Sequence, residues 1–275
     1  ELDISKIIDI TFYERPLSAY ITILQTSGKN MPKSLPLISH QCRNFNKSSV
    51  ACFLDLAKLY PGLEKKLSYC DHHLSHTLTS LAYSPNQNDI CSVVVDGFGD
   101  RSTTSISLVN NHHNIVELWS CPYPFSIGLF YSAITDFLGF QVNEGEYKVM
   151  GLSSFGNEKS VIAKKVSKLI SWDDDKKKII QDMSFFNYHL DPEISFSQKL
   201  VNYLGNPRNP FKQLLPADDD FQHYADIAKG AQLAVVRILH SIFNYAYQLT
   251  KCNDFLFSGG VAMNSASLDQ LASLD

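Results

Sequence analysis

The sequence predicts an α/β protein of two related lobes joined near residue 89, and three observations carry that reading. Strand, short helices, strand and a histidine-bearing helix follow one another, and the series then restarts with new strands, helices, a further strand and a glycine turn. The restart is the apolar run Ile90 to Val95, followed by two more strand-like runs in the pattern of an antiparallel meander. With 44% hydrophobic residues, the 275-residue chain is long enough to bury a substantial core.

Each element has a local reason. Ile7 to Tyr13 is β-branched and aromatic, is closed by Arg15-Pro16, and reads as a buried strand. Residues 17–66 mix apolar pairs with Pro32, Pro36, Pro61 and Gly62, which favours short helices and turns before a short strand at Leu67 to Cys70. Leu74, Leu78 and Leu81 set a helical spacing that begins near His72. Ile90 to Val95, Thr103 to Val109 and Ile115 to Trp119 form the meander, with His112 and His113 in a solvated turn. Ser126 caps a helix whose positions Leu129, Ala133, Ile134, Phe137 and Leu138 are expected in the core.

Residues 158–172 read as a further helix, Asp173 to Lys178 as a polar turn, and 181–220 as an irregular insertion. Tyr224 to Leu249 is the longest helical pattern. Asp254 to Phe257 is then a strand running into Ser258-Gly259-Gly260 and a last helix.

Composition narrows the function. A net charge of −4 gives no blanket attraction to nucleic acid or to an anionic membrane, so a small-molecule partner is expected. The six cysteines, Cys42, Cys52, Cys70, Cys91, Cys121 and Cys252, lack metal or disulfide spacing and read as reduced core filler. No apolar run approaches the ~20 residues that span a bilayer. The expectation is a soluble, cytoplasmic protein.

Three of the nine histidines fall within Asp71-His72-His73-Leu74-Ser75-His76. On a helix starting near His72, His72 and His76 share a face, close enough to bind one cation. Asp96 ends an apolar strand and opens the turn Gly97-Phe98-Gly99-Asp100, from which it can add an oxygen. Imidazole and carboxylate donors suit a divalent ion such as iron or zinc. The competing reading is a helix start capped or solvated by histidine and an ordinary Asp-Gly hairpin.

Gly259-Gly260 between strand and helix lets a nucleotide approach the backbone, although it has neither dinucleotide nor Walker spacing and also suits a plain turn. Lys148, between Tyr147 and Val149, is either a point charge for phosphate or a lysine reaching water.

Five segments together resemble the carbamoyltransferases of the nodulation and antibiotic-tailoring type: FYERP (12–16), HHLSH (72–76), VVVDGFGDRST (93–103), SIGLFYSAITDFLGFQVNEGEYKVMGL (126–152) and FSGGVAMNS (257–265). Their catalytic part is similar to the threonylcarbamoyl-transferase domain of tRNA-modifying enzymes. The resemblance implies an incomplete actin-like, two-lobed ATPase fold of the acetate kinase, sugar kinase and heat-shock chaperone class. Residues 1–89 would be the remainder of the first lobe and 90–275 the second lobe with its nucleotide loop.

It also implies O-carbamoyl transfer from carbamoyl adenylate, made from carbamoyl phosphate and ATP in a YrdC-like domain, to the hydroxyl of a small acceptor. It puts the metal, usually iron, on His72, His76 and Asp96, and the adenosine on Gly259, Gly260 and Asn264. Asp100, Arg101 and Ser102 fall near a phosphate turn, and Lys148 with Glu146 on the carbamoyl adenylate. It further implies that family strands precede Glu1, that a fourth, aspartate ligand follows Asp275, and that the YrdC-like domain lies outside this chain. Two other readings stay open: a threonylcarbamoyl or hydrogenase-maturation relative, and a nucleotide-dependent binding or switch module of the actin-like class.

Overall fold

The computed structural model describes residues 6–44, 49–84, 88–111 and 114–272; the turn expected at His112 and His113 lies outside them. Strand β1 (Ile10–Phe12) pairs in parallel with β2 (Leu67–Tyr69). Between them come α1 (Pro16–Lys29), α2 (Leu35–Arg43), α3 (Ser49–Leu59) and a 3₁₀ turn, Leu63–Lys66. Pro16 opens α1, where its fixed φ suits the first turn and its missing N–H costs nothing. The buried strand expected over residues 7–13 is shorter and half-exposed. Among the described residues its one sheet neighbour is β2, and Ile8 is 92% exposed.

Helix α4 (His72–Ala82) starts at the expected histidine because the Asp71 carboxylate accepts the N–H groups of His73 and Leu74. Then follow β3 (Ile90–Gly99), β4 (Ser102–Val109), β5 (Ile115–Pro122), α5 (Ile127–Phe137), α6 (Glu146–Ser153) and α7 (Val161–Val166). Ser126 caps α5 by accepting from the N–H of Leu129. The helix expected over 158–172 is confined to α7, because Ile170 starts β6 (Ile170–Asp173), hairpinned to β7 (Lys178–Gln181) across the polar turn. Trp172 settles the matter: in the strand it meets the rings of Trp119 and Tyr245 at 5.5 and 5.6 Å.

The 181–220 segment is more ordered than an insertion, since it carries α8 (Gln198–Leu204) and buries Phe186, Leu200 and Leu204 fully or nearly so. Next come α9 (Phe221–Thr250), β8 (Phe255–Ser258) and α10 (Ser265–Ala272). All six cysteines are free thiols, and Cys42 and Cys52 are exposed, contrary to a wholly structural reading.

The central sheet runs β5-β4-β3-β8, with β3 antiparallel to β4 and parallel to β8. Ile90 through Val95 are buried on both faces, as expected of a strand covered on either side. One flank holds α5 and α9, while α4 rests against β3 and β8. The parallel pairing brings the end of β8, and the glycine loop after it, beside Asp96.

Candidate metal centre and adjoining cavity

One turn of α4 separates His72 from His76, so both rings leave the helix on one side and meet the strand end that carries Asp96. The His76 Nε2 lies 2.9 Å from Asp96 Oδ2, His72 Nε2 lies 3.2 Å from that oxygen, and the two Nε2 atoms are 3.2 Å apart. Tetrahedral donors about 2.0–2.1 Å from one ion sit roughly 3.3 Å apart, so the three atoms fit a single divalent cation. The other carboxylate oxygen accepts the Gly97 N–H at 2.7 Å, which turns Oδ2 toward the rings.

Electrostatics agree with that geometry. The hydrogen bond to Asp96 raises the His72 pKa against the opposing pull of burial. Burial by itself would raise Asp96, but hydrogen bonds from His72, His76 and the Gly97 N–H outweigh it and hold the carboxyl well below the usual range. The centre is thus a ready-made anion facing two imidazoles. His73 points elsewhere: its Nδ1 lies 2.8 Å from Ser105 Oγ, and burial pushes its pKa down to about 4. Thr77 and Ser92, 2.8 Å apart, pin the next turn of α4 to β3.

Beside the centre lies a cavity of about 390 Å³, walled by Asp96, Gly128, Leu129, Ser132, Glu146 and the loop residues Gly260, Val261 and Asn264, among others. Gly259 has φ +93°, and a Cβ there would come within 2.3 Å of the Val95 carbonyl oxygen, so only glycine lets this loop lie against β3. Asn264 is held by the buried Gln232 of α9: its Oδ1 accepts at 3.0 Å and its Nδ2 donates at 3.1 Å. Gln232 also donates to Ser267 Oγ and accepts from the Tyr131 hydroxyl.

The remaining expected site residues divide. Glu146 reaches the cavity wall but accepts from Ser132 Oγ and from the N–H groups of Asn143 and Gly145, so much of its capacity goes to holding the start of α6. Lys148 is not brought to this cavity. Positions two apart on a helix do not share a face, and Lys148 lines a separate groove over the Phe140 ring. Asp100 is buried, and its two oxygens accept the backbone N–H groups of Arg15 and His72, which makes it a pin between chain segments. Arg101 is exposed and reaches Ser18 Oγ at 3.4 Å, and Ser102 takes its place in the β4 ladder.

Residues that sequence reasoning missed also line the cavity. Leu129, counted as core by its spacing, faces the cavity, with Ser132 one turn on. The other expected core positions, Ala133, Ile134, Phe137 and Leu138, are fully buried, and Ile127 and Phe130 join them. Gln232 gave a usable signal, a lone amide within the apolar stripe of the longest helix.

An α/β protein with a two-histidine, one-carboxylate cluster beside a glycine-loop cavity is the class that fold and site define. A family model for the carbamoyltransferase N-terminus matches residues 22–273, and the chain belongs to that family. It is 27% identical to an uncharacterized protein of Synechocystis sp. over 98% of this chain and 43% of the relative. An uncharacterized protein of Methanocaldococcus jannaschii is 26% identical over 74% of this chain and 35% of its own length. The chain thus spans less than half the length of these curated relatives. No described helix is long and apolar enough to cross a membrane.

Proposed function

We propose that this chain is the catalytic portion of an O-carbamoyltransferase with an actin-like, two-lobed fold. It passes the carbamoyl group of carbamoyl adenylate to a hydroxyl of a small acceptor. The acceptor oxygen bonds to the carbamoyl carbon, the bond from that carbon to the adenylate phosphate oxygen breaks, and AMP and a proton leave. Carbamoyl phosphate and ATP supply the adenylate through a YrdC-like domain.

The observation that carries the reading is the convergence of His72, His76 and Asp96 within 4.8 Å of one another beside the Gly260–Asn264 wall, in a chain of the carbamoyltransferase family. An iron or zinc ion held by those three donors supplies Lewis acidity for a carbonyl or hydroxyl. Asp96 and the imidazoles bind and orient. The open backbone at Gly259-Gly260 and the Gln232-held amide of Asn264 accept the adenosine part, while Leu129, Val261 and Met150 keep water from its ring. A chaperone-like switch has no use for this donor set, which favours transfer over the switch reading.

The test uses the full-length gene product with carbamoyl phosphate, ATP and a panel of sugar, nucleoside and aminoglycoside alcohols. Mass spectrometry is expected to show an acceptor 43 Da heavier, a gain fixed by replacing H with CONH₂, and Asp96→Asn is expected to abolish it. ATP hydrolysis without carbamoyl-phosphate dependence, unchanged in Asp96→Asn, would contradict the proposal.

A further inference from the structure

Lys148 leads to a second site. It lines an open groove of about 830 Å³ formed by α6, the segment after α5 and the 208–221 segment. The groove contains two cations without carboxylate partners. Arg208, only 9% exposed, donates to the carbonyl oxygens of Leu138, Gly139, Asn209 and Lys212, so its contacts are neutral acceptors and one of its five N–H groups is left over. Lys148 is exposed, and its contacts are the rings of Phe140 and Tyr147. Both cations lie over Phe140, Arg208 Cζ at 4.6 Å and Lys148 Nζ at 5.8 Å from the ring centroid. The nearest acids are engaged or set back: Asp218 lies 3.9 Å from Lys212, and Asp220 acts on Arg208 only at longer range.

Both cations adjoin the Phe140 ring and neither is paired with a carboxylate, so an anion in the groove is attracted by each. The rest of the lining mixes Gln141, Lys212 and Gln213 with apolar residues that are partly uncovered, Phe155 being 61% and Phe211 95% exposed. Gly151 leaves the groove open, since a Cβ there would meet nothing within 4 Å.

We propose that this groove binds a small organic anion, a carboxylate or phosphate monoester whose ring or short apolar body lies against Phe140 and whose charge faces Lys148 and Arg208. The site is distinct from the metal cavity and independent of the transferase reading.

Phenyl phosphate and benzoate are the probes, with phenol and inorganic phosphate as controls, read by ligand-observed NMR titration on the whole chain. Phenyl phosphate, benzoate or both are expected to bind more tightly than either control. A preference between the two tells which anion the groove suits. Lys148→Gln is expected to weaken binding about fivefold, the scale of one partly exposed charge contact. Gly151→Leu puts a side chain into the groove at a position where a Cβ meets nothing within 4 Å, and it is expected to weaken binding while the protein stays folded by circular dichroism. Saturating adenosine, which carries no anionic group, is expected to leave binding unchanged. The site is refuted if neither probe binds, if either control matches them, if Gly151→Leu binds like wild type, or if adenosine competes.

Discussion

The backbone N–H of His72 donates to the carboxylate of Asp100 at 3.0 Å, so the turn after β3 grips the first residue of the histidine helix. The other oxygen of Asp100 accepts the Arg15 N–H at 2.9 Å, and the residue itself holds φ +51° while buried. Losing this acceptor pair orphans two backbone donors, and alanine also tolerates the left-handed conformation poorly. Asp100→Ala is expected to cost about 2–4 kcal/mol and Asp100→Asn roughly half that, read from urea unfolding midpoints.

Gly128 tests how closely the start of α5 must approach the strand that carries Asp96. A Cβ there would come within 2.7 Å of the Gly97 nitrogen and 2.8 Å of the Asp96 carbonyl, both backbone atoms that cannot swing aside. Gly128→Ala is expected to push α5 off β3, lower stability by about 1–3 kcal/mol and weaken cation binding at Asp96 more than the neighbouring Leu129→Ala does. Calorimetric metal titration of both variants checks the contrast.

Gln232 is 2% exposed and satisfies Asn264, Ser267 and Tyr131 at once. Gln232→Leu matches its bulk but leaves these polar groups without their shared partner, so a loss of about 2–4 kcal/mol is expected in thermal or urea unfolding. The glycine loop is expected to loosen with it, seen as faster amide exchange at residues 259–264.

Acid stability follows from buried histidine. His189 is 4% exposed, and burial pushes its pKa from 6.5 down to about 4. Between those values the unfolded chain takes up a proton that the folded chain refuses, so stability falls as pH drops through that window. The loss is on the order of 3 kcal/mol for this group. Unfolding measured in a chelator from pH 7 to 4 is expected to show this decline, and His189→Phe to flatten it, with His73 keeping part of the slope.

Local signals made much of this molecule legible. Asp71 and the leucine spacing start α4 at His72, Ser126 starts α5, and the apolar run with its Asp-Gly turn gives β3. What failed depends on contacts remote in the chain. Leu129 has core spacing, but only the packing of α5 on Asp96 and Gly97 turns that position to a cavity. Trp172 chose a strand because Trp119 and Tyr245 wait for it. Asp100 and Lys148 sit in matching motifs, yet backbone amides claim the first and helix geometry turns the second away from the cavity.

The most direct test is a titration of the chelator-stripped chain with Fe²⁺ under anaerobic conditions and with Zn²⁺, following heat and bound metal together. One equivalent per chain is expected, with proton release that grows as pH falls toward the histidine range, and with at least tenfold weaker binding in His72→Ala, His76→Ala and Asp96→Asn. Full-affinity binding in the three variants, or none in the intact chain, would contradict a shared metal centre.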